Sequence, residues 1–375
     1  MRSLPFVLLV TASVACSSSP QPASTPTSEV STAAVQKPCP DEGAPATAQT
    51  DEIDQDVMAL AAAAQKCGFE HGSFEWDCPA FKEWRNENDD LFEGPGGNST
   101  ILSLLEDKDV RARTLAAQRG FTAARSYFAD TKRASRLLAV VDKERENRLY
   151  SSYGKFVAYI NGEKVLGKEL RALANHPTTD FRQAYAEYAL PTHPTAFSLE
   201  LVKVFLDDPD DSVRRAAIRS LSANGRTRPT EGICAVLKTQ IERTDKLARE
   251  ALDAGATSKC PGMSELVMAQ IEKRTADPAK ATAADAPDVS NAMSSLCWRS
   301  TTSDDLKKRA FDVANKTAPK IADPWRRRSY VYLLRSCDPK RAKAALAPFL
   351  KDKDKDVAEL AKEETQRVEE DLKRQ

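Results

Sequence analysis

The sequence predicts an all-α protein, an α-solenoid of stacked helical-pair repeats that follows a disordered N-terminal tether. Three observations lead to this prediction. Helix formers and charged residues dominate the composition, with 29% Asp, Glu, Lys and Arg, whereas 14 glycines in 375 residues are too few for a turn-rich β fold. An Asp-rich turn between two apolar helices recurs along most of the chain. The first 50 residues, in contrast, show neither helical nor alternating hydrophobic periodicity.

The N-terminus has the features of an export signal. A positive charge at Arg2 precedes a short apolar core at residues 4–10, and small residues then lead to Cys16. This apolar run is too short to span a membrane and is typical of a cleaved secretory signal.

Residues 13–16, with the sequence Ser-Val-Ala-Cys, resemble the lipobox of bacterial lipoproteins, although that family prefers Leu at the position of Ser13. The resemblance implies that residues 1–16 are a lipoprotein signal peptide. It also implies that acyl chains such as palmitate on Cys16 anchor the exported protein to a membrane, facing the periplasm or the cell exterior. In the family, a neutral residue such as Ser17 directs the protein to the outer membrane. The alternative is an ordinary signal peptide in which the cysteine is incidental.

Residues 17–50 are predicted to be the disordered tether, which holds the folded part away from the membrane. They are rich in Ser, Thr, Pro and Ala and contain few large apolar residues. Such a segment buries too little apolar surface to offset the entropy that is lost on ordering.

Residues 51–97 are predicted to form an acidic helical cap on the first repeat. The net charge between residues 51 and 95 is −9, although the whole chain is neutral. The hydrophobic pattern predicts one helix over residues 51–67 and a second helix that begins at Pro79. Terminal units of solenoids need such a polar outer cover.

The boundary between the cap and the repeats is predicted at the glycines of residues 94–97, after which Asn98 or Ser99 caps the next helix. Phe81 and Trp84 are expected to face that helix. The alternative is that the acidic segment extends the tether, but these aromatic residues are unfavourable in water.

The repeat is clearest in three segments, at residues 104–117, 205–221 and 349–361. Each segment ends an apolar helix, crosses an Asp-rich turn and begins a second helix with Val followed by small apolar residues. Weaker copies lie between them, including a poor one at residues 142–148. At a mean spacing of about 35 residues, the second helices are predicted to begin near Val110, Phe181, Val213, Leu247, Val289, Trp325 and Val357.

This period, and the stretch Asp-Pro-Asp-Asp-Ser-Val-Arg-Arg-Ala-Ala at residues 208–217, resemble the HEAT repeat in its shorter HEAT-like form, over residues 98–375. The resemblance implies a solenoid, because a helical pair buries its apolar face only by stacking on its neighbours. The turn aspartates are predicted to cap the second helices, and the arginines to pair with acids of neighbouring repeats. We call the aspartates of these turns the turn residues, and the arginines and acids that pair between repeats the ladder residues. Together they are Asp109, Arg111, Asp210, Asp211, Arg214, Arg215, Asp323, Arg326 and Asp356.

The search for catalytic chemistry finds no candidate. The sequence lacks the phosphate-binding, dinucleotide-binding, zinc-protease and serine-hydrolase motifs, and its three histidines are scattered. Cys67, His71 and Cys78 lack a fourth zinc ligand. We therefore predict no catalytic residues, no metal and no cofactor. The zero net charge also argues against binding to nucleic acid.

Two residue groups have a functional and a structural interpretation. Arginines 326–328 suggest an anion site, but a solvated helix start with Asp–Arg pairing is the favoured interpretation. Aromatic residues at helical spacing suggest a recognition face, but packing between repeats is favoured for them. These aromatic residues are Tyr150, Tyr153, Tyr159, Tyr185 and Tyr188.

Seven cysteines remain besides Cys16, and an exported chain oxidises them. Cys39 lies in the tether and is the unpaired one. The spacings favour the pairs Cys67–Cys78, Cys234–Cys260 and Cys297–Cys337, whereas Cys260–Cys297 is the main competing pair.

The function expected from the sequence is non-catalytic: a monomeric scaffold, anchored in the cell envelope, that binds an unknown protein or peptide on the face of the solenoid. A HEAT-like lyase-type enzyme or accessory factor is one alternative, suggested only by the fold. A purely structural envelope spacer is the other.

Overall fold

The computed structural model describes residues 52–87, 91–92, 95–128, 130–277, 281–283 and 288–374. The predicted signal peptide, Cys16, the tether and Cys39 lie outside these residues. The described residues contain the following eighteen α-helices: α1 (Gln55–Ala64), α2 (Pro79–Asn86), α3 (Pro95–Leu105), α4 (Val110–Tyr127), α5 (Thr131–Lys143), α6 (Tyr150–Ala158), α7 (Glu163–Leu173), α8 (Thr179–Thr192), α9 (Ala196–Leu206), α10 (Asp211–Thr227), α11 (Glu231–Ile241), α12 (Ala248–Thr257), α13 (Met263–Thr275), α14 (Ser290–Trp298), α15 (Asp304–Thr317), α16 (Pro324–Cys337), α17 (Pro339–Leu346) and α18 (Lys355–Arg374).

From α3 onward the helices form eight consecutive pairs that stack in series. The even-numbered helices α4 to α18, here called the second helices, each pack against the second helix of the next pair. The odd-numbered first helices α3 to α17 contact one another less and flank this layer. The only strands in the described residues are β1 (Phe69–Glu70) and β2 (Ser73–Phe74), which form a short antiparallel hairpin. The predicted all-α series of stacked helical pairs is therefore confirmed.

The second helices begin within two residues of the predicted positions, and α6 occupies the gap after residues 142–148. Side-chain caps explain where two of them start. Asp210 accepts a hydrogen bond from the amide of Ser212, and Asp323 accepts from the amides of the first turn of α16. Val213 and Leu221 are fully buried on the predicted apolar face of α10.

The acidic segment packs on the first helical pair, because α1 contacts both α3 and α4. α1 begins at Gln55, where the side chain of Asp54 accepts two hydrogen bonds from the first-turn amides. Trp84 is fully buried and meets the ring of Phe92 edge-on at 4.8 Å. Phe81 is also buried, stacked on Phe74 at a centroid distance of 4.9 Å.

One local prediction for this segment is wrong, namely that Asn98 or Ser99 caps the next helix. α3 begins at Pro95 and contains Asn98 and Ser99, which are buried rather than at a cap. Pro suits the first helical position because its φ is already helical. Gly97 serves close packing, since a Cβ there would lie 2.5 Å from the carbonyl oxygen of Leu91.

The β1–β2 hairpin was not predicted, because its two-residue strands give no alternating pattern. Its loop residues His71 and Gly72 both have positive φ, at 51° and 74°. Two positive φ values are characteristic of the tight turns that match the twist of a hairpin.

Candidate interaction surface

The predicted turn aspartates act within the fold. Asp109 binds the guanidinium and the amide of Arg111, and its pKa lies below the ordinary value because of these hydrogen bonds, although burial opposes the effect. Asp211 forms ion pairs with Arg214 of its own helix and with Lys246 of the next pair.

The predicted ladder arginines differ in what they bind. Arg215 pairs with Glu250 of the next second helix at 2.7 Å, as expected for pairing between repeats. Arg328 lies 3.5 Å from Asp356. Arg326, in contrast, is buried and donates to the backbone carbonyls of Ala281 and Ala283. The expectation of a solvated helix start is therefore wrong for Arg326, and also for the buried Arg327.

A second set of arginines also joins neighbouring pairs; of these, only the Asp–Arg pairing of Arg327 was expected from the sequence, and Arg113 and Arg182 were not predicted. Arg113, Arg182 and Arg327 are each the fourth residue of a second helix. Each donates two hydrogen bonds to one carboxylate in the following turn, and one further nitrogen binds carbonyls of its own turn. The partners are Glu144, Asp208 and Asp352. Arg at the fourth helical position is the sequence feature that the three clamps share. It does not suffice, because Arg214, the fourth residue of α10, pairs with Asp211 of its own helix.

Burial alone would raise the pKa of Glu144, but hydrogen bonds reverse this effect. Arg113, two backbone amides and the hydroxyl of Tyr153 all donate to the carboxylate and hold its pKa below the ordinary value. Burial, together with this contact, raises the pKa of Tyr153 far above its ordinary value. The clamp at the first turn is therefore a fully ionised pair with a neutral phenol beside it.

The six cysteines in the described residues form three disulfides. Cys67 bonds to Cys78, Cys234 to Cys260 and Cys297 to Cys337. The pairing is the one that the spacings favoured, and it does not contain the competing Cys260–Cys297 bond. Because Cys67 and Cys78 are bonded to each other, they are not available as zinc ligands. No group of side chains in the described ranges has the arrangement of a metal site.

Of the five tyrosines that could form a recognition face or pack between repeats, four pack in the interior. Only Tyr188 is partly exposed, whereas the others are buried; these are Tyr150, Tyr153, Tyr159 and Tyr185. A recognition face built on this group is therefore not present.

Exposed aromatic side chains occur instead on two neighbouring second helices. Trp298 on α14 is 69% exposed, and Trp325 and Tyr332 on α16 are 65% and 45% exposed. α14 and α16 pack directly against each other. We call the following six side chains the aromatic patch: Asn291, Ser294 and Trp298 of α14, and Trp325, Arg328 and Tyr332 of α16.

The helical period places the aromatic patch on one surface. On each helix the three residues stand at i, i+3 and i+7, which is one face of an α-helix. The buried residues Ala292 and Leu296 of α14 match Arg326 and Tyr330 of α16 at a constant offset of 34. The same offset makes Trp298 and Tyr332 equivalent positions on adjacent helices, whose axes typically lie about 8–10 Å apart.

On the second helices that precede α14 in the chain, polar side chains form contacts from one helix to the next. Arg219 pairs with Glu187, and the hydroxyl of Ser222 lies 3.2 Å from that of Thr257. α14 differs, since its sequence Ser-Asn-Ala-Met-Ser-Ser-Leu-Cys-Trp contains no charged residue. The α14 side chains of the aromatic patch therefore take part in no ion pair with a neighbouring helix.

Two carboxylates on α12 border the aromatic patch. Asn291 lies beside Asp253 and lowers the pKa of its carboxyl, and Glu250 lies one turn before Asp253 on the same helix. The pKa of Asp253 is raised to about 7, mainly by burial and also by the negative charges of Asp288 and Glu250, whereas the charge of Arg249 opposes the increase.

The aromatic patch is rich in residue types that occur at interfaces between proteins. Trp, Tyr and Arg are the residue types that contribute most to binding energy at protein interfaces. An exposed aromatic cluster with polar neighbours is characteristic of an interaction site.

No protein-family model matches the chain, and no curated protein is significantly similar to it. Within the ranges that the structure describes, no helix has the length and apolar character required to cross a bilayer.

Proposed function

We propose that the chain is an exported, lipid-anchored scaffold of the HEAT-repeat type, which binds another protein or peptide through its aromatic patch. The role is non-catalytic. The observation that carries the proposal is the exposure of Trp298, Trp325 and Tyr332 together on the adjacent helices α14 and α16. Leaving these side chains in water is unfavourable unless a partner covers them.

The HEAT-like assignment is supported by the series of helical pairs and by the acidic turns. In these turns Arg182 and Arg327 bind Asp208 and Asp352 at nearly identical sequence separations. Such repetition is typical of a solenoid in which each pair contacts only its neighbours. Solenoids offer extended surfaces for binding, which agrees with the proposed role.

The export and anchoring part of the proposal is supported by two features. The lipobox-like residues 13–16 end at Cys16, and the folded part contains three disulfides. Disulfides persist in oxidising compartments such as the bacterial periplasm and the cell surface.

Site-specific photo-crosslinking in intact cells tests the binding function. A photoreactive amino acid at position 332 or 294 is expected to give a discrete crosslinked product. Matched control positions are Trp76, exposed in the cap, and Val165, exposed on α7. Crosslinks that are equally strong from the control positions, or absent from positions 332 and 294, would contradict the proposal and favour a spacer.

A further inference from the structure

We propose that a groove between the first helices α11 and α13 binds a small amphipathic anion, a molecule with one aliphatic body and one carboxylate or phosphate group. The groove shares no residue with the aromatic patch, so this inference does not depend on the proposed function.

The groove has the size and the lining of a small-molecule site. Its volume is about 670 Å³, and it is lined by residues of α11, of α13 and of the two loops that precede these helices. Such sites typically measure about 300–1,000 Å³ and combine a mainly apolar lining with a few polar groups. The apolar side chains of the lining are Pro229, Cys234, Ala235, Pro261, Met263 and Leu266.

Covalent constraints hold the walls of the groove in place. The Cys234–Cys260 disulfide joins the first turn of α11 to the loop before α13. In that loop the amide of Lys259 donates to the carbonyl of Gly225 at 2.7 Å. Because these walls are already fixed, little conformational entropy is lost when a ligand enters.

The groove is open to a ligand at Gly262. This residue has a φ of 71°, which side chains rarely adopt, and a Cβ there would meet no atom within 4 Å. Met263, which follows it, is buried, and Leu266 is partly buried against the core. A ligand above Gly262 therefore rests on an apolar base.

The charges along the groove favour an anion. Lys238 and Lys259 line it, whereas Glu231 is the one acid among its described lining residues, which leaves a net charge of +1. Neither lysine forms an ion pair with a residue that the structure describes. Glu265, in the first turn of α13, is bound instead to Arg309 at 2.9 Å. An anionic group in the groove would give the two ammonium groups a partner.

The amphipathic character follows from the position of Lys238 relative to the apolar lining. Lys238 stands four residues after Cys234, so its ammonium stem and the disulfide lie on one side of α11. A purely polar anion would leave the disulfide and Leu266 in water, and a neutral apolar molecule would leave the lysines unpaired. The lining contains no aromatic ring, and its sulfur and aliphatic groups suit an aliphatic body.

Titration calorimetry with dodecanoate, below its micelle concentration, tests the inference. The full chain with Cys16→Ser is used throughout, so that no acyl chain of the protein competes. Dodecanoate should bind with a stoichiometry of one, and Lys238→Met/Lys259→Met should weaken binding at least tenfold. Lys168→Met, which removes an exposed lysine of α7, should bind as the parent chain does.

A second variant fills the groove without removing a charge. Ala235 is exposed on α11, so Ala235→Trp should fold normally and abolish the binding of dodecanoate. The matched control is Ala172→Trp, at an exposed position of α7, which should bind as the parent chain does. Thermal melts of both variants establish that they are folded.

Two further probes define the charged group. Dodecyltrimethylammonium has the same chain and the opposite charge, and it should bind at least tenfold more weakly than dodecanoate. Dodecyl phosphate should also bind, and its affinity relative to that of dodecanoate identifies which of the two anionic groups the lysines prefer.

Three results would overturn the inference. These are the absence of binding by both anionic probes, binding that Ala235→Trp leaves unchanged, and equal binding of dodecanoate and its trimethylammonium analogue. Trp298→Ala should bind dodecanoate as the parent chain does. Loss of binding in that variant would place the probe on the aromatic patch and would equally contradict the groove as the site.

Discussion

Arg182 of α8 holds Asp208 of the next turn with two hydrogen bonds, of 2.7 and 3.1 Å, and both side chains are largely buried. The third guanidinium nitrogen donates to the carbonyls of His176 and Pro177. One side chain thus fixes its own turn and the turn of the following pair. The same arrangement at Arg113 and Arg327 makes the clamp a repeated element of the array.

Replacement of Arg182 by Met should lower the free energy of unfolding by about 3 kcal/mol, because Asp208 then remains buried without its partner. The matched control is Arg328→Met, whose partner Asp356 is exposed. That change should cost less than about 1 kcal/mol. Urea denaturation followed by circular dichroism gives both values, and equal losses would show that the clamp does not stabilise the stack.

Breaking the Cys67–Cys78 disulfide should make the cap sensitive to proteases. The bond closes an 11-residue separation between α1 and α2. In the chain-entropy model this is worth about 2–3 kcal/mol. The Cys67→Ser/Cys78→Ser variant should be cut between residues 53 and 84 faster than wild type, whereas Cys234→Ser/Cys260→Ser should leave the rate of cutting there unchanged. Rapid cutting of the oxidised wild type in this range would instead show that the cap is not stably folded.

Replacement of Asp253 by Asn should stabilise the protein at neutral and alkaline pH. The pKa of Asp253 is raised from 3.8 to about 7, so the folded state favours the protonated acid. This contribution to stability is complete below about pH 4 and is lost as the pH rises through 7. The variant should gain about 1 kcal/mol at pH 8, a value reduced for partial exposure, and should match wild type at pH 4. Thermal melts at both pH values test this, and a gain at pH 4 alone would reverse the assigned sign.

Replacement of Cys16 by Ser should release the protein from the membrane fraction. Acyl chains contribute about 0.8 kcal/mol per buried methylene, and without them the proposed anchor is lost. Fractionation of cells that express each form measures the effect. A variant that stays in the membrane fraction as wild type does would place the anchor elsewhere.

The repeat could be predicted from the sequence because it depends on local patterns. Val213, with small apolar residues after an acidic turn, indicates both the start of α10 and its buried face. The clamp could not be placed in the same way, since the choice between Arg327 and the adjacent Arg326 depends on which side chain the helix turns toward the next pair. The predicted ladder therefore included Arg111 and Arg326, which bind a local acid and backbone carbonyls instead.

The aromatic patch was missed for a related reason. Large aromatic residues are expected in the interior, so the sequence pattern indicates Trp325 as the start of a second helix and gives no signal for an exposed Trp298. Burial of Arg326 and Arg327 turns Trp325 outward on the same helix. Trp298 and Tyr332 come side by side only because α14 packs on α16. Which residues become neighbours in this way depends on the number of residues between equivalent positions of successive second helices, and this number varies along the chain.

The amount of partner recovered after chemical crosslinking in intact cells tests the central claim most directly. Quantitative mass spectrometry should compare wild type, Trp298→Ala, Tyr332→Ala and Trp76→Ala, each shown to be folded by circular dichroism. Our account predicts that both patch variants lose most of one specific partner, whereas Trp76→Ala retains it. Equal recovery of the same partner by all four proteins would contradict the assignment of the aromatic patch as the binding surface.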